Sequence, residues 1–179
     1  MNENPQSPSN HLLELLTQLV HSGVRFIVAG GVAAVLHGVE RMTMDVDLAI
    51  EETPENVRRF LAAMTAIGLT PRAPVPPQIL LDRPALDCLV EEKGALVLAF
   101  YHPLMPWLQV DVFLSRDASF SALKDFTQDI SLGDITIRVV SAQQLIAMKR
   151  RVQPMRAKDH EDIDALEKIA ADGNRDIHS

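Results

Sequence analysis

Apolar residues recur along this chain with two periods, one near 3.6 and one of 2, and each change of period marks a new element. Between His11 and His21, leucines at 12, 13, 16 and 19 give a helix one core-facing stripe, and Gly23 supplies its stop. Val24 to Ala29 is a short unbroken apolar run, read as a buried strand, and Gly31 to His37 reads as the first turns of a helix. A second apolar run, through Ile50, carries two aspartates. Pro54 opens a helix that runs to about Ile67 and stops at Gly68. Pro71 to Pro77 is a stiff, proline-rich surface loop. Residues 78 to 93 are ambiguous, with a short helix expected from Pro84 to Glu92.

Two strands follow, at about 95 to 101 and 108 to 114, with His102-Pro103 and Pro106 expected to break the run between them. A helix is expected near Phe120 to Phe126. Ile130 to Leu132 and Ile135 to Val139 read as a hairpin closed at Gly133-Asp134. Ser141 begins a helix through Lys149 as its N-cap, and a last helix takes its apolar face from Ile163, Leu166 and Ile169/Ala170. This order predicts an α+β protein: a mixed β-sheet with helices packed mainly on one face and two C-terminal helices. No internal repeat or heptad array is present. One domain is expected over residues 11–172, with a core at about 24–140 and a C-terminal helical part at about 141–172. Residues 1–10 are expected to be a disordered start and 173–179 a tail.

Composition narrows the class. Of 179 residues, 47 % are hydrophobic and 23 % charged, as in an ordinary soluble globular protein, and no apolar run approaches the roughly 20 residues that span a bilayer. Met1 to Asn10 lacks the basic-then-apolar order of a signal sequence. The single cysteine, Cys88, excludes an internal disulfide and fits a reducing cytoplasm; it is expected to be a buried packing residue. A net charge of −7 argues against broad, nonspecific nucleic-acid binding. Yet Lys149, Arg150, Arg151, Arg156 and Lys158 fall within ten positions, and with Arg41 they can form one phosphate-facing wall or simply a solvated helix end.

The candidate chemistry lies between Gly30 and Ile50. In a strand, Asp45 and Asp47 point to one face, with α-carbons about 6.5 to 7 Å apart, while Val46, Leu48 and Ile50 point to the other. Two carboxylates held so close raise each other's pKa unless a cation separates them, and a hard divalent ion is the natural one. Gly30-Gly31, at a strand-to-helix turn, lets the backbone approach an anion that faces the helix start. Taken singly, each feature has an ordinary meaning: a tight turn for the glycines, a solvated strand face for the aspartates. Asp111, within Leu108 to Leu114, is a third carboxylate among apolar neighbours, which needs a partner, a metal or a strand edge.

Gly30-Gly31, thirteen residues, then Asp45-Val46-Asp47-Leu48 resemble the signature of the DNA polymerase β-type nucleotidyltransferase superfamily. The intervening Arg41-x-Thr43-x-Asp45, and the later Lys149 followed by Arg156-x-Lys158-Asp159-x-x-Asp162-Ile163, resemble its small bacterial AbiEii-like branch, which includes toxins of toxin–antitoxin systems. The resemblance implies the minimal nucleotidyltransferase fold and transfer of a nucleoside monophosphate from an NTP to a hydroxyl or phosphate. It also implies Mg2+ (or Mn2+) held by Asp45, Asp47 and Asp111. Gly30 and Gly31 would then cradle the β- and γ-phosphates, Lys149 would reach the phosphates, and Lys158 with Asp159 would complete the pocket. A cognate antitoxin is implied as a partner. The acceptor stays open between tRNA or other RNA, a protein and a small molecule, and a non-catalytic nucleotide-binding or protein-interaction module of the same fold is the alternative.

The remaining residues carry open readings. Arg41 can contact a phosphate or pair with Asp45 or Glu40, and the Thr43 hydroxyl can bond a phosphate or a ligand carboxylate. Lys158, Glu161 and Asp162 are as well read as solvated helix charges. His37 reads as a helix-end dipole partner, and His37, His102 and His160 have no zinc spacing. Trp107 reads as a packing anchor beside Pro106.

Overall fold

The computed structural model describes residues 8–43, 45–152 and 154–173. They form seven α-helices and seven strands, in the order α1 (Pro8–His21), β1 (Phe26–Ala29), α2 (Gly30–Leu36), β2 (Asp45–Ile50), α3 (Pro54–Ile67), β3 (Thr70–Pro71), α4 (Arg83–Lys93), β4 (Val97–His102), β5 (Met105–Phe113), α5 (Phe120–Leu123), β6 (Thr127–Leu132), β7 (Ile135–Val140), α6 (Ala142–Arg151) and α7 (Ala157–Gly173). Among them no helix is long and apolar enough to cross a membrane.

One sheet joins all seven strands in the order β3-β4-β5-β2-β1-β7-β6. β2 runs parallel to β5 and β1 parallel to β7, while the other neighbours are antiparallel. The architecture is therefore α+β with a mixed sheet, as the periodicity predicts. Period-2 alternation sorts its two faces. Val46 and Leu48 of β2, Leu98 and Phe100 of β4, and Val110 and Val112 of β5 are buried on one face. α1 and α3 belong to that core: Leu15, Leu16 and Leu19 are buried, and the Phe60 ring meets Phe100 edge-on at 5.5 Å. The opposite face carries Asp45, Asp47 and Asp111.

Local chemistry explains the helix limits. Thr53 caps α3 by accepting from the Asn56 N–H at 3.4 Å, and Gly68 ends the helix in a left-handed conformation, φ 85°. Ser141 caps α6 in the same way through the Gln144 N–H. α1 starts at Pro8, three residues before the apolar stripe that predicts it, because a proline suits the first turn of a helix. The rest of the expected disordered start and most of the expected tail lie outside the described residues.

Some details differ from the pattern. Pro106 does not break the chain; it lies inside β5, beyond the point where β2 pairs, so its missing N–H interrupts no ladder with β2. The proline-rich loop begins with a two-residue strand, β3, pairing β4. The helix expected near Phe120 to Phe126 is only four residues long. Cys88 is exposed rather than buried, because α4 turns Leu86 to the core and Cys88 away from it.

Candidate active site

Strand register places the three carboxylates together. β2 and β5 pair in parallel, with Asp47 opposite Asp111 and Asp45 opposite Gln109. Directly paired residues share a face, and neighbouring strands lie about 4.8 Å apart. Asp45, Asp47 and Asp111 therefore occupy two adjacent rows of one face. All three line a cavity of about 800 Å³ with Gly30, Gly31, Arg41, Thr43, Lys149, Arg156, Lys158 and Asp159. The residues expected at the site thus border one space, whereas Arg150, Arg151, Glu161 and Asp162 do not line it, and Arg150 pairs with Glu167 instead.

The glycine pair is explained by what packs on it. Gly30 has φ 61°, which disfavours any side chain, and a Cβ there would stand 1.8 Å from Oδ2 of Asp47. A Cβ on Gly31 would stand 2.6 Å from the Thr43 hydroxyl and 2.9 Å from an Arg41 nitrogen. The glycines let β2 and the segment before it close onto the start of α2. Asp47 is half-buried, and its pKa is raised to about 6, first by burial, then by the Asp111 charge and, less, by Asp45. The Gly31 backbone N–H and Lys149 pull it down only in part. Asp111 is also raised, by burial and by Asp45, against a hydrogen bond from Gln109 and the charge of Arg72.

The basic wall is internally paired. Lys149 is buried on α6, with Nζ 3.2 Å from Asp159 Oδ1 and 2.6 Å from Asp162 Oδ2. Arg156 Nε donates to Asp159 Oδ2 at 2.7 Å. Burial pushes the Asp159 carboxyl up, but the donors on Arg156 and Lys149 outweigh it and hold the group below its usual range. Arg41 Nη1 donates to Asp162 Oδ2 at 2.6 Å, so neither Glu40 nor Asp45 is its partner; α7 supplies it instead. Asp162, only 1 % exposed, is the hub of this cluster rather than a solvated charge. Its place three residues after Asp159, beside Ile163 and on the face of Leu166, was the available signal. Lys158 and Glu161, by contrast, are exposed.

Three further residues make contacts that the sequence does not suggest. Trp107 is 39 % exposed and lines the cavity, so it is not a packing anchor. Gln109 Nε2 donates to Asp111 Oδ1 at 2.9 Å. His37 ends α2 and bonds its Nε2 to the Val140 carbonyl oxygen at 2.7 Å, tying the helix end to β7.

The donor set suits a hard divalent cation: it is all carboxylate oxygen, and its most buried member resists ionisation without a cation. Among the described residues, no three acidic, histidine or cysteine side chains converge tightly enough to hold a metal by themselves. Magnesium does not require that, since it commonly takes one or two carboxylates together with substrate phosphates.

Comparison with known proteins agrees with this geometry. The family model for the nucleotidyl transferase AbiEii toxin of a type IV toxin–antitoxin system matches residues 14–178. The lincosamide antibiotic adenylyltransferase LnuA, solved with lincomycin bound, superposes with a TM-score of 0.61 at 17 % identity, over 88 % of this chain and 95 % of that one. The antibiotic-resistance factor ANT(2'')-Ia gives 0.54 at 13 % identity, over 92 % and 90 %. An antigenic nucleotidyltransferase-like protein from Paracoccidioides brasiliensis gives 0.50 at 14 % identity, over 89 % and 74 %. These likenesses establish the fold. Comparison with curated protein sequences gave no match.

Proposed function

The chain belongs to the AbiEii nucleotidyl transferase family, and from that premise we propose that it moves a nucleoside monophosphate from an NTP to a hydroxyl or phosphate acceptor in a metal-dependent reaction. The observation that carries this reading is the register of Asp47 against Asp111, with Asp45 one row away, in a cavity whose far wall is basic. Asp45 and Asp47 would hold Mg2+ or Mn2+ together with the triphosphate, and Asp111 would join them as a metal ligand on the side of the acceptor. When bound, the cation supplies Lewis-acid charge at the reacting phosphoryl group and lowers the acceptor's pKa.

The chain's own side chains do the rest. Asp111, half-buried and with a raised pKa, is suited to accept the acceptor's proton. Gly30 and Gly31 keep the start of α2 open to the β- and γ-phosphates. Lys149 and Arg156 are held in place by Asp159 and Asp162, so they meet the phosphates at little further entropic cost. Arg41, Thr43 and the exposed Lys158 complete the phosphate side. The C-terminal helical part, about 141–172, belongs to the same domain and serves as this wall.

We further place the protein in the cytoplasm and in a toxin–antitoxin pair. The family match supports the pairing, and the single cysteine supports the compartment. The reaction itself is tested by following the label. Each NTP, labelled in parallel at the α- and at the γ-phosphate, is incubated with Mg2+ and with RNA, protein and small-molecule fractions. Nucleotidyl transfer leaves the α label on one fraction and releases the γ label as pyrophosphate. Transfer of the γ label instead would overturn the reaction class.

A further inference from the structure

We propose that Gln109 and Arg72 form a positioning arm that fixes the orientation of Asp111 for nucleotidyl transfer. The proposal rests on the reading above, in which Asp111 works at the reacting centre.

The arm is a continuous chain of donors. Arg72 Nη2 donates to Gln109 Oε1 at 2.6 Å, and Gln109 Nε2 donates to Asp111 Oδ1 at 2.9 Å. Arginine has no acceptor, so it takes the amide oxygen of Gln109 and leaves only the NH2 group to face Asp111. That polarity suits an ionised carboxylate, which only accepts. With Oδ1 held by Gln109, the other carboxylate oxygen of Asp111 is left for the cavity that the residue lines. A carboxylate in this position with a fixed outer partner binds a cation or a proton more reproducibly than one left to rotate.

The sheet is built to deliver Arg72 there. The Arg72 N–H donates to the Ala99 carbonyl oxygen at 2.8 Å, extending the pairing of β3 with β4 by one residue. Ala99 is opposite Asp111 in the next pair. Arg72, Ala99, Asp111 and Asp47 therefore form one row across four neighbouring segments, on the face of the carboxylates. The small Ala99 methyl leaves room for the guanidinium to lean across β4. Tyr101, opposite Gln109, provides the surface it rests on, with Arg72 Cζ 5.7 Å from the ring centroid. Gln109 also fills the place opposite Asp45, where an acidic residue would add a further repulsive charge and an apolar one would leave Asp111 without its donor.

The test titrates Mn2+ alone into the full-length chain and follows the free-ion signal by electron paramagnetic resonance, with unfolding midpoints measured in parallel. Asp111→Asn and Gln109→Leu should each weaken Mn2+ affinity by about tenfold or more, the usual range for loss of a ligand's outer partner. Arg72→Ala should weaken it by roughly threefold and add nothing on top of Gln109→Leu, because both break one chain. Arg72 is exposed, so its variant separates positioning from folding; the midpoints of Gln109→Leu and Arg72→Ala should stay within about 2 °C. If Asp111→Asn loses the ion while Gln109→Leu and Arg72→Ala bind as wild type, the arm is refuted and the reading of the site stands. If Asp111→Asn binds as wild type, Asp111 is not a ligand and both fall.

Discussion

Asp47→Asn should make the folded protein more stable while abolishing its activity. The carboxyl is half-buried, faces Asp111 in the adjacent strand and has its pKa raised to about 6 from 3.8. A raised carboxylate pKa means that the folded state binds the proton more tightly than the unfolded state does. Stability from this group is therefore intact below pH 3.8, declines as pH rises between 3.8 and 6, and levels off above. The span of about 2.2 units corresponds to about 3 kcal/mol at pH 8, and about half of that at pH 5. Asparagine has the same shape, so it keeps the close fit on Gly30 without the charge. For a chain of this size the gain should raise the midpoint by roughly 6–12 °C at pH 8 and by nothing at pH 3. Differential scanning calorimetry of both proteins in EDTA at pH 3, 5 and 8 reads this directly. Adding Mg2+ should narrow the gap at pH 8, because it stabilises the wild type alone. A gain of equal size at pH 3 and pH 8, or a loss at pH 8, would refute the account of why Asp47 is perturbed.

Other consequences follow from the same geometry. Asp162→Ala leaves Lys149 with a single carboxylate partner and Arg41 with none among the described residues, and should cost about 3–5 kcal/mol by urea unfolding. Gly30→Ala forces a Cβ into Asp47 at a positive φ; nucleotide-dependent stabilisation should be lost even if a destabilised fold persists. Trp107 is the only tryptophan and lines the cavity, so its emission should change when a nucleotide binds and stay constant with Trp107-distant surface substitutions such as Cys88→Ser.

Much of this arrangement was legible in the sequence because it rests on short-range rules. The alternation through Asp45 to Ile50 sets which face the aspartates share, and Pro54 with Gly68 bracket α3, to which the structure adds the Thr53 cap. The prediction that Asp111 would join the pair came from resemblance; the physical reason is strand register, which no local pattern encodes. What stayed hidden was long-range pairing of charges. Arg41 and Asp162 are 121 residues apart, and Arg72 and Gln109 are 37 apart, so neither spacing nor periodicity could join them. Asp162 stays open in the sequence because a charge on an amphipathic helix is usually solvated, yet here the helix turns it inward to Lys149. Trp107 was misassigned for a related reason. Its strand is buried on one face only, and its odd-numbered position belongs to the open face with Gln109 and Asp111.

The most direct test of the site is the shift in unfolding midpoint produced by each of the four NTPs, with and without Mg2+, on wild type, Asp45→Ala and Asp47→Ala. A ligand at about 100 times its Kd stabilises the native state by about 2.7 kcal/mol, which is roughly 5–11 °C here. The account predicts a shift of that order for at least one NTP, dependent on Mg2+ and lost in both variants. An equal shift in the variants, or none in the wild type with any NTP, would contradict it.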